Sequence, residues 1–199
     1  TDVSLVSVIG GDFPQHYLDM MTSKEINIDG VEMIKDGKTF FWSGKYHNDL
    51  NSRDTLATEL NVLENFDPKI PESAKDAEVL LLGNLHPAVQ LAVLDRMEKR
   101  PQLVILDTMN FWMDLTWDLL LEVIAKTDVI TINDEEARQL SGEYSLVKAA
   151  QKIHDMGPEF VIIKTGEPIT TPAFFFSASV EPYNCATSSN FFPDFRSEE

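Results

Sequence analysis

Cysteine is almost missing: among 199 residues only Cys185 occurs, so no internal disulfide can form and no cysteine-built zinc site can be assembled. Such a chain suits a reducing compartment, and the cytoplasm is the expected location. Positive charge is scarce too. Sixteen Lys and Arg stand against 33 Asp and Glu, a formal net charge of −17. A surface of that sign repels a phosphate backbone, which argues against a nucleic-acid partner. Small phosphates stay possible, because a helix N-terminus, a local patch or a metal ion reverses the field nearby. No apolar run approaches the roughly 18 to 20 residues that a membrane span needs, and no membrane partner is expected. The opening "TDVSLVSVIGGDF" has neither a basic n-region nor an h-region and reads as a buried strand rather than a signal peptide. Histidines at 16, 47, 86 and 154 are too scattered for ligand spacing such as H-x-x-x-H. "GGDF" is not G-x-G-x-x-G, which removes the main support for a dinucleotide-binding oxidoreductase.

What is present has a regular grammar. "SLVSVIGGDF", "EVLLLGNLH", "QLVILDTMNF", "DVITINDEE" and "EFVIIKTGE" are short apolar runs that end in glycine or polar residues. Longer segments of helical spacing follow several of them, such as "PQHYLDMMTSKE", a helix from about Pro87, "DLTWDLLLEVIAK" and "LVKAAQKIHDMG". This alternation is the pattern of an α/β fold, a Rossmann-like parallel sheet flanked by helices. Residues 26–66 break the pattern. Asp29-Gly30 and Asp36-Gly37 are hairpin-type turn signals between alternating or aromatic runs, so a small antiparallel β lid inserted in the core is expected. The core is then 1–25 with 67–167, and Phe40, Phe41 and Trp42 give the lid an apolar face for a ligand cleft or a second subunit. Residues 168–199 lack glycine, leucine and lysine. Within this atypical tail "PAFFFSASV" alone reads as a strand.

In an open parallel sheet, ligands bind beyond the carboxyl ends of the strands. The positions to inspect are Gly10 to Asp12, Asn84, Asp107 to Asn110, Asn133 to Glu136, and Lys164 to Glu167. "NDEE" is fully accounted for as a helix start: Asn133 is a good N-cap, Glu136 at N3 completes a capping box, and Asp134 and Glu135 complement the helix dipole. An acid at a phosphate site also requires a cation between them.

The order of segments supplies more. N-x-x-E followed by A-x-x-L and S-G, then a helix, then the strand end "KTGE", resembles the ribokinase-like, or PfkB, family of sugar and nucleoside kinases. The resemblance runs over roughly residues 3–167 and includes "VSVIGGDFPQHYLDMM", the inserted sheet as the family's lid, and "LVILDTMNFW" as its D-x-N-like segment. It implies ATP-dependent phosphoryl transfer to a sugar-type hydroxyl with Mg²⁺ as cofactor. Asn133 would approach the phosphates and Glu136 would organise the metal and its waters. Asp107 and Asn110 would lie near the phosphate path, and Lys164, Thr165, Gly166 and Glu167 beside the nucleotide. Partners would be ATP, a sugar or nucleoside, and a second copy of the chain through the lid.

Two family signatures are absent: the N-terminal glycine pair with its asparagine, and the G-A-G-D motif expected a few dozen residues after "KTGE". That motif would bring the catalytic base and the amides that stabilise the transferring group. No catalytic residue is therefore assigned, and Asp194, with no glycine near it, is not promoted to that role. The expectation is an incomplete form, truncated at both ends, with a lid and half a nucleotide site and little or no phosphotransfer. The alternative is a non-catalytic ligand-binding or dimerising α/β module.

Overall fold

The computed structural model describes residues 2–46, 53–165 and, as a strand, 174–177. The chain divides into two compact units, one formed by residues up to Ala77 with Leu91–Arg100, the other by Glu78–Gln90 and the residues from Pro101 onward.

In the first unit β1 (Val3–Gly10) leads through Gly11 and Asp12 to α1 (Gln15–Ser23) and β2 (Ile26–Ile34), which pairs parallel to β1. β1 is buried only over Val8–Gly10, its amino-terminal half being exposed or half-buried. Asp29-Gly30 does not turn the chain, contrary to its reading as a hairpin signal. It lies within β2, where the register shifts between Ser4 and Val6. A Cβ on Gly30 would stand 2.8 Å from the Leu5 carbonyl, so the glycine permits close backbone approach at an irregular pairing. Asp36-Gly37 does lie in a turn, closed by the Gly37 amide on the Ile34 carbonyl at 3.0 Å. The antiparallel sheet is the pair β3 (Phe41–Tyr46) and β4 (Arg53–Glu59). Phe40, Phe41 and Leu56 are exposed there, while Trp42 is half-buried and donates to Thr55 Oγ1 at 3.4 Å.

Asp12 ties this unit together. Its Oδ1 accepts from the Thr39 amide and the Thr39 hydroxyl, both at 2.7 Å, and Thr39 Oγ1 accepts from the Gly10 amide at 3.0 Å. These bonds from Thr39 hold the Asp12 carboxyl below the usual carboxylate range.

The second unit carries a five-stranded sheet in the order β5 (Val79–Leu82), β6 (Leu103–Asp107), β7 (Val129–Asn133), β8 (Phe160–Lys164), β9 (Phe174–Ser177), parallel except for β9. Val104, Leu106, Ile130, Ile132, Val161 and Ile163 share one face by register and are all fully buried. The helices are α2 (Pro87–Arg96), which runs on into the first unit, α3 (Asn110–Leu115), α4 (Trp117–Ala125), α5 (Asp134–Ser141) and α6 (Leu146–His154). Leu120, Val123 and Ile124 of α4, Ala137 and Leu140 of α5 and Ala149 and Ile153 of α6 are buried at 3.6-residue spacing. The segment expected as one helix over 114–126 is two. Thr116 (φ −140°, ψ 43°) breaks it, and its hydroxyl donates to the Trp112 carbonyl at 3.1 Å.

The architecture is thus the expected one, a parallel sheet with flanking helices plus a small antiparallel sheet. The strand expected in "PAFFFSASV" is β9. The rest of the tail, including Cys185 and Asp194, and His47 lie outside the described residues.

Candidate nucleotide site

Parallel register places residues from three strands on one face at the carboxyl end of the second unit's sheet. Asp107 stands opposite Thr131, and Asn133 opposite Lys164. Side chains at these positions project from the face that does not carry Leu106 and Ile132. Asp107 Oδ1 accepts from Lys164 Nζ at 3.3 Å and from Thr131 Oγ1 at 3.4 Å, so Lys164 reaches over β7 to the end of β6. The pair is open to solvent, with side-chain exposures of 55% for Lys164 and 37% for Asp107. An exposed pair of this length contributes about 1 kcal/mol at most, little enough for an anionic ligand to draw the lysine away. Beyond Lys164, the hydroxyl of Thr165 is buried without a hydrogen-bond partner among the described residues.

Asn133 and Glu136 form the capping box in full. Asn133 Oδ1 accepts from the Glu136 amide and Glu136 Oε2 accepts from the Asn133 amide, both at 2.8 Å. Glu136 is 4% exposed. The helix closes at Gly142 in the left-handed conformation (φ 70°), whose amide donates to the Arg138 carbonyl at 2.8 Å. Arg138 pairs with Asp134 one turn earlier, which leaves Glu135 as the exposed acid of the first turn.

Asn110 is held by another helix. Its amide donates to Gln139 Oε1, and Gln139 Nε2 donates to Asp114 Oδ1 at 2.8 Å, so Asn110 ties α3 to α5. Gly166 and Glu167 lie outside the described residues. Of the sequence-derived site, the structure therefore sets Asp107, Lys164, Asn133 and Glu136 at neighbouring strand ends with Thr165 next in line, and engages Asn110 with Gln139 of α5.

Sequence reasoning missed three participants. Thr131 is the one polar residue inside "VITI", and a single hydroxyl within an apolar strand is a weak hint. Thr108 is 3% exposed with its hydroxyl unpartnered among the described residues. Trp112 donates to Asn84 Oδ1 at 2.8 Å and meets the His86 ring edge-on at 5.1 Å, which orders the loop after β5. In the first unit a cleft lined by Val8, Glu32, Ile34, Val62, Asp67 and Lys69 has both of its acids paired, Glu32 with Lys69 at 2.9 Å and Asp67 with Arg96.

The donor set suits a nucleotide phosphate: an exposed, weakly paired lysine, a hydroxyl without a partner among the described residues and a helix N-terminus stand at adjacent strand ends. Among the described residues no group of three or more His, Cys, Asp or Glu could enclose a metal. Magnesium, however, is commonly held by one or two carboxylates, its own waters and substrate phosphates, and Glu136 and Asp107 fit that mode.

Fold and site together define an α/β protein with a polar sheet edge where Lys164, Asp107 and Thr131 meet. The family model for pfkB family carbohydrate kinases matches residues 1–185, and the chain belongs to that family. It is 32% identical over 167 residues to a cytidine kinase of Thermococcus kodakarensis, a match covering 83% of this chain and 59% of that protein. Solved structures share the fold. A putative ribokinase II from E. coli in complex with ATP and Mg²⁺ aligns with a TM-score of 0.67 at 16% identity, over 89% of this chain and 60% of the other. A Burkholderia thailandensis nucleoside kinase in complex with inosine aligns at 0.66 and 18%, over 90% and 57%. The 199 residues thus span less than two thirds of the length of these relatives. Among the described residues no helix is long and apolar enough to cross a membrane.

Proposed function

We propose that the chain serves ATP-dependent phosphoryl transfer to a hydroxyl of a sugar or nucleoside in the cytoplasm, and that residues 78–167 supply the phosphate side of its nucleotide site. The observation that carries this is the meeting of Lys164, Asp107 and Thr131 at the sheet edge, beside the capped start of α5. In this reading Lys164 leaves Asp107 for the nucleotide phosphates, and the Thr165 hydroxyl donates to a phosphate oxygen. Asn133 orients the phosphates from the head of α5. Gly166 allows close backbone approach to the nucleotide, with Glu167 beside it. Mg²⁺, when bound, neutralises charge on the transferring group. Its waters would be held by Glu136, whose burial in its own cap favours contact through water over direct coordination, and by Asp107. Asn110 acts at one remove, by fixing α3 against α5.

The likeness to a cytidine kinase favours a nucleoside over a free sugar as acceptor. Residues 168–199 contain no G-A-G-D, so these 199 residues alone are expected to bind Mg·ATP and transfer little phosphate. The test is transfer of labelled γ-phosphate to cytidine and to ribose beside equilibrium binding of Mg·ATP. Binding with slow transfer is the expected result; neither binding nor transfer would refute the reading.

A second reading, a dimerising module, is favoured by one feature. Phe41 and Leu56 are 50% and 66% exposed on the β3–β4 pair, apolar side chains that a second copy would cover. Dimerisation through this lid is compatible with the kinase reading.

A further inference from the structure

Asp107 lies one residue beyond the end of its ladder with β5, whose last pair is Leu82 opposite Leu106. On the β7 side it still faces Thr131. On the β5 side a side chain takes the place of the missing strand. Gln90, in the first turn of α2, donates through Nε2 to the Gly83 carbonyl at 2.8 Å and to the Asp107 carbonyl at 3.4 Å. It therefore links the two strand ends where the backbone no longer does. Gln90 is 2% exposed. Burying a primary amide is unfavourable unless it is hydrogen-bonded, and an apolar residue of the same length would fill the space without that cost. Its Oε1 has no partner among the described residues, so the glutamine retains a buried unpaired acceptor. What it contributes is the pair of N–H bonds to Gly83 and Asp107.

We propose that Gln90 is a positioning residue for the nucleotide site: it fixes the main chain of Asp107 against the end of β5, so that the Asp107 carboxylate meets Lys164 and Thr131 over β7. The inference rests on the kinase reading for its consequence, but not for its geometry.

The test is a double-mutant cycle on the full chain, with Gln90→Met removing the donors at nearly constant length and Asp107→Asn removing the group that Gln90 positions. Gln90→Met is expected to raise the dissociation constant for Mg·ATP about fivefold or more alone and by less than about twofold in the Asp107→Asn background, because effects that pass through one group are not additive. The ¹³C resonance of the Asp107 carboxyl should move in Gln90→Met without any nucleotide. A purely structural glutamine would instead weaken binding equally in both backgrounds and leave that resonance in place, and either result overturns the proposal. Should Gln90→Met fail to fold, the wild-type chain gives the answer: the Gln90 side-chain amide protons must exchange slowly with solvent, and fast exchange overturns the proposal. If wild type does not bind Mg·ATP, the kinase reading fails, and the Asp107 resonance alone decides the role of Gln90.

Discussion

At the head of α5 the capping box and the proposed metal site draw on the same residues, and substitutions can separate the two. The capping box is a pair of reciprocal bonds at 2.8 Å, so Asn133→Ala is expected to cost about 1 kcal/mol of stability in chemical denaturation. Glu136→Gln keeps an acceptor at N3 and with it most of the cap, yet removes the charge that a metal's waters would face. It should melt close to wild type and bind Mg·ATP more weakly. A variant that melts early and binds normally would assign Glu136 to the cap alone. Asp12 yields a prediction in pH. Because Thr39 holds its carboxyl below the ordinary range, its contribution is present above the unfolded-state value, about 3.9, and is lost as pH falls through the lower folded value. The stability gap between wild type and Asp12→Ala should be steady from about pH 7 to 5 and narrow below about pH 4, as urea midpoints across that range would show.

Among the elements, the helices of the second unit bury narrow stripes, and their interiors dominate its stability. Leu140 of α5, 2% exposed, has no exposed surface to recover on truncation, so Leu140→Ala should cost about 2–5 kcal/mol. Elements were legible in the sequence where their cause is local. The start of α5 at Asn133 is written in the residues that follow it, and the structure shows the cap. Asp29-Gly30 carried the same kind of local sign and misled, because a glycine also serves where two strands approach closely, and only the pairing with Leu5 and Val6 shows which need it meets. Thr116 looked like one more residue of a helix, and its hydroxyl's bond to the Trp112 carbonyl is a matter of geometry rather than composition. The meeting of Lys164 with Asp107 was beyond sequence reading for a related reason. The two are 57 positions apart, and parallel register is set by helix packing rather than by turn chemistry. Gln90 was invisible as well, since a glutamine in the first turn of a helix has no periodic signature.

For the whole molecule, the acidic surface and the apolar hairpin make separate claims. A net charge of −17 makes non-specific binding of ATP unfavourable, so measured affinity must come from local groups, foremost Lys164. The hairpin claim is tested by sedimentation: wild type should sediment as a dimer and Phe41→Glu as a monomer, and a monomeric wild type at high concentration would remove the lid as an interface. The central claim, that the carboxyl edge of the second unit's sheet holds a nucleotide, is tested most directly by calorimetric titration of Mg·ATP into wild type and Lys164→Ala. Lys164 is exposed and only weakly paired, so its truncation should leave the melting temperature nearly unchanged while weakening binding about tenfold, close to 1.4 kcal/mol. Equal affinity for the two proteins, or no heat from wild type at millimolar nucleotide, would contradict the assignment of this edge as the nucleotide site.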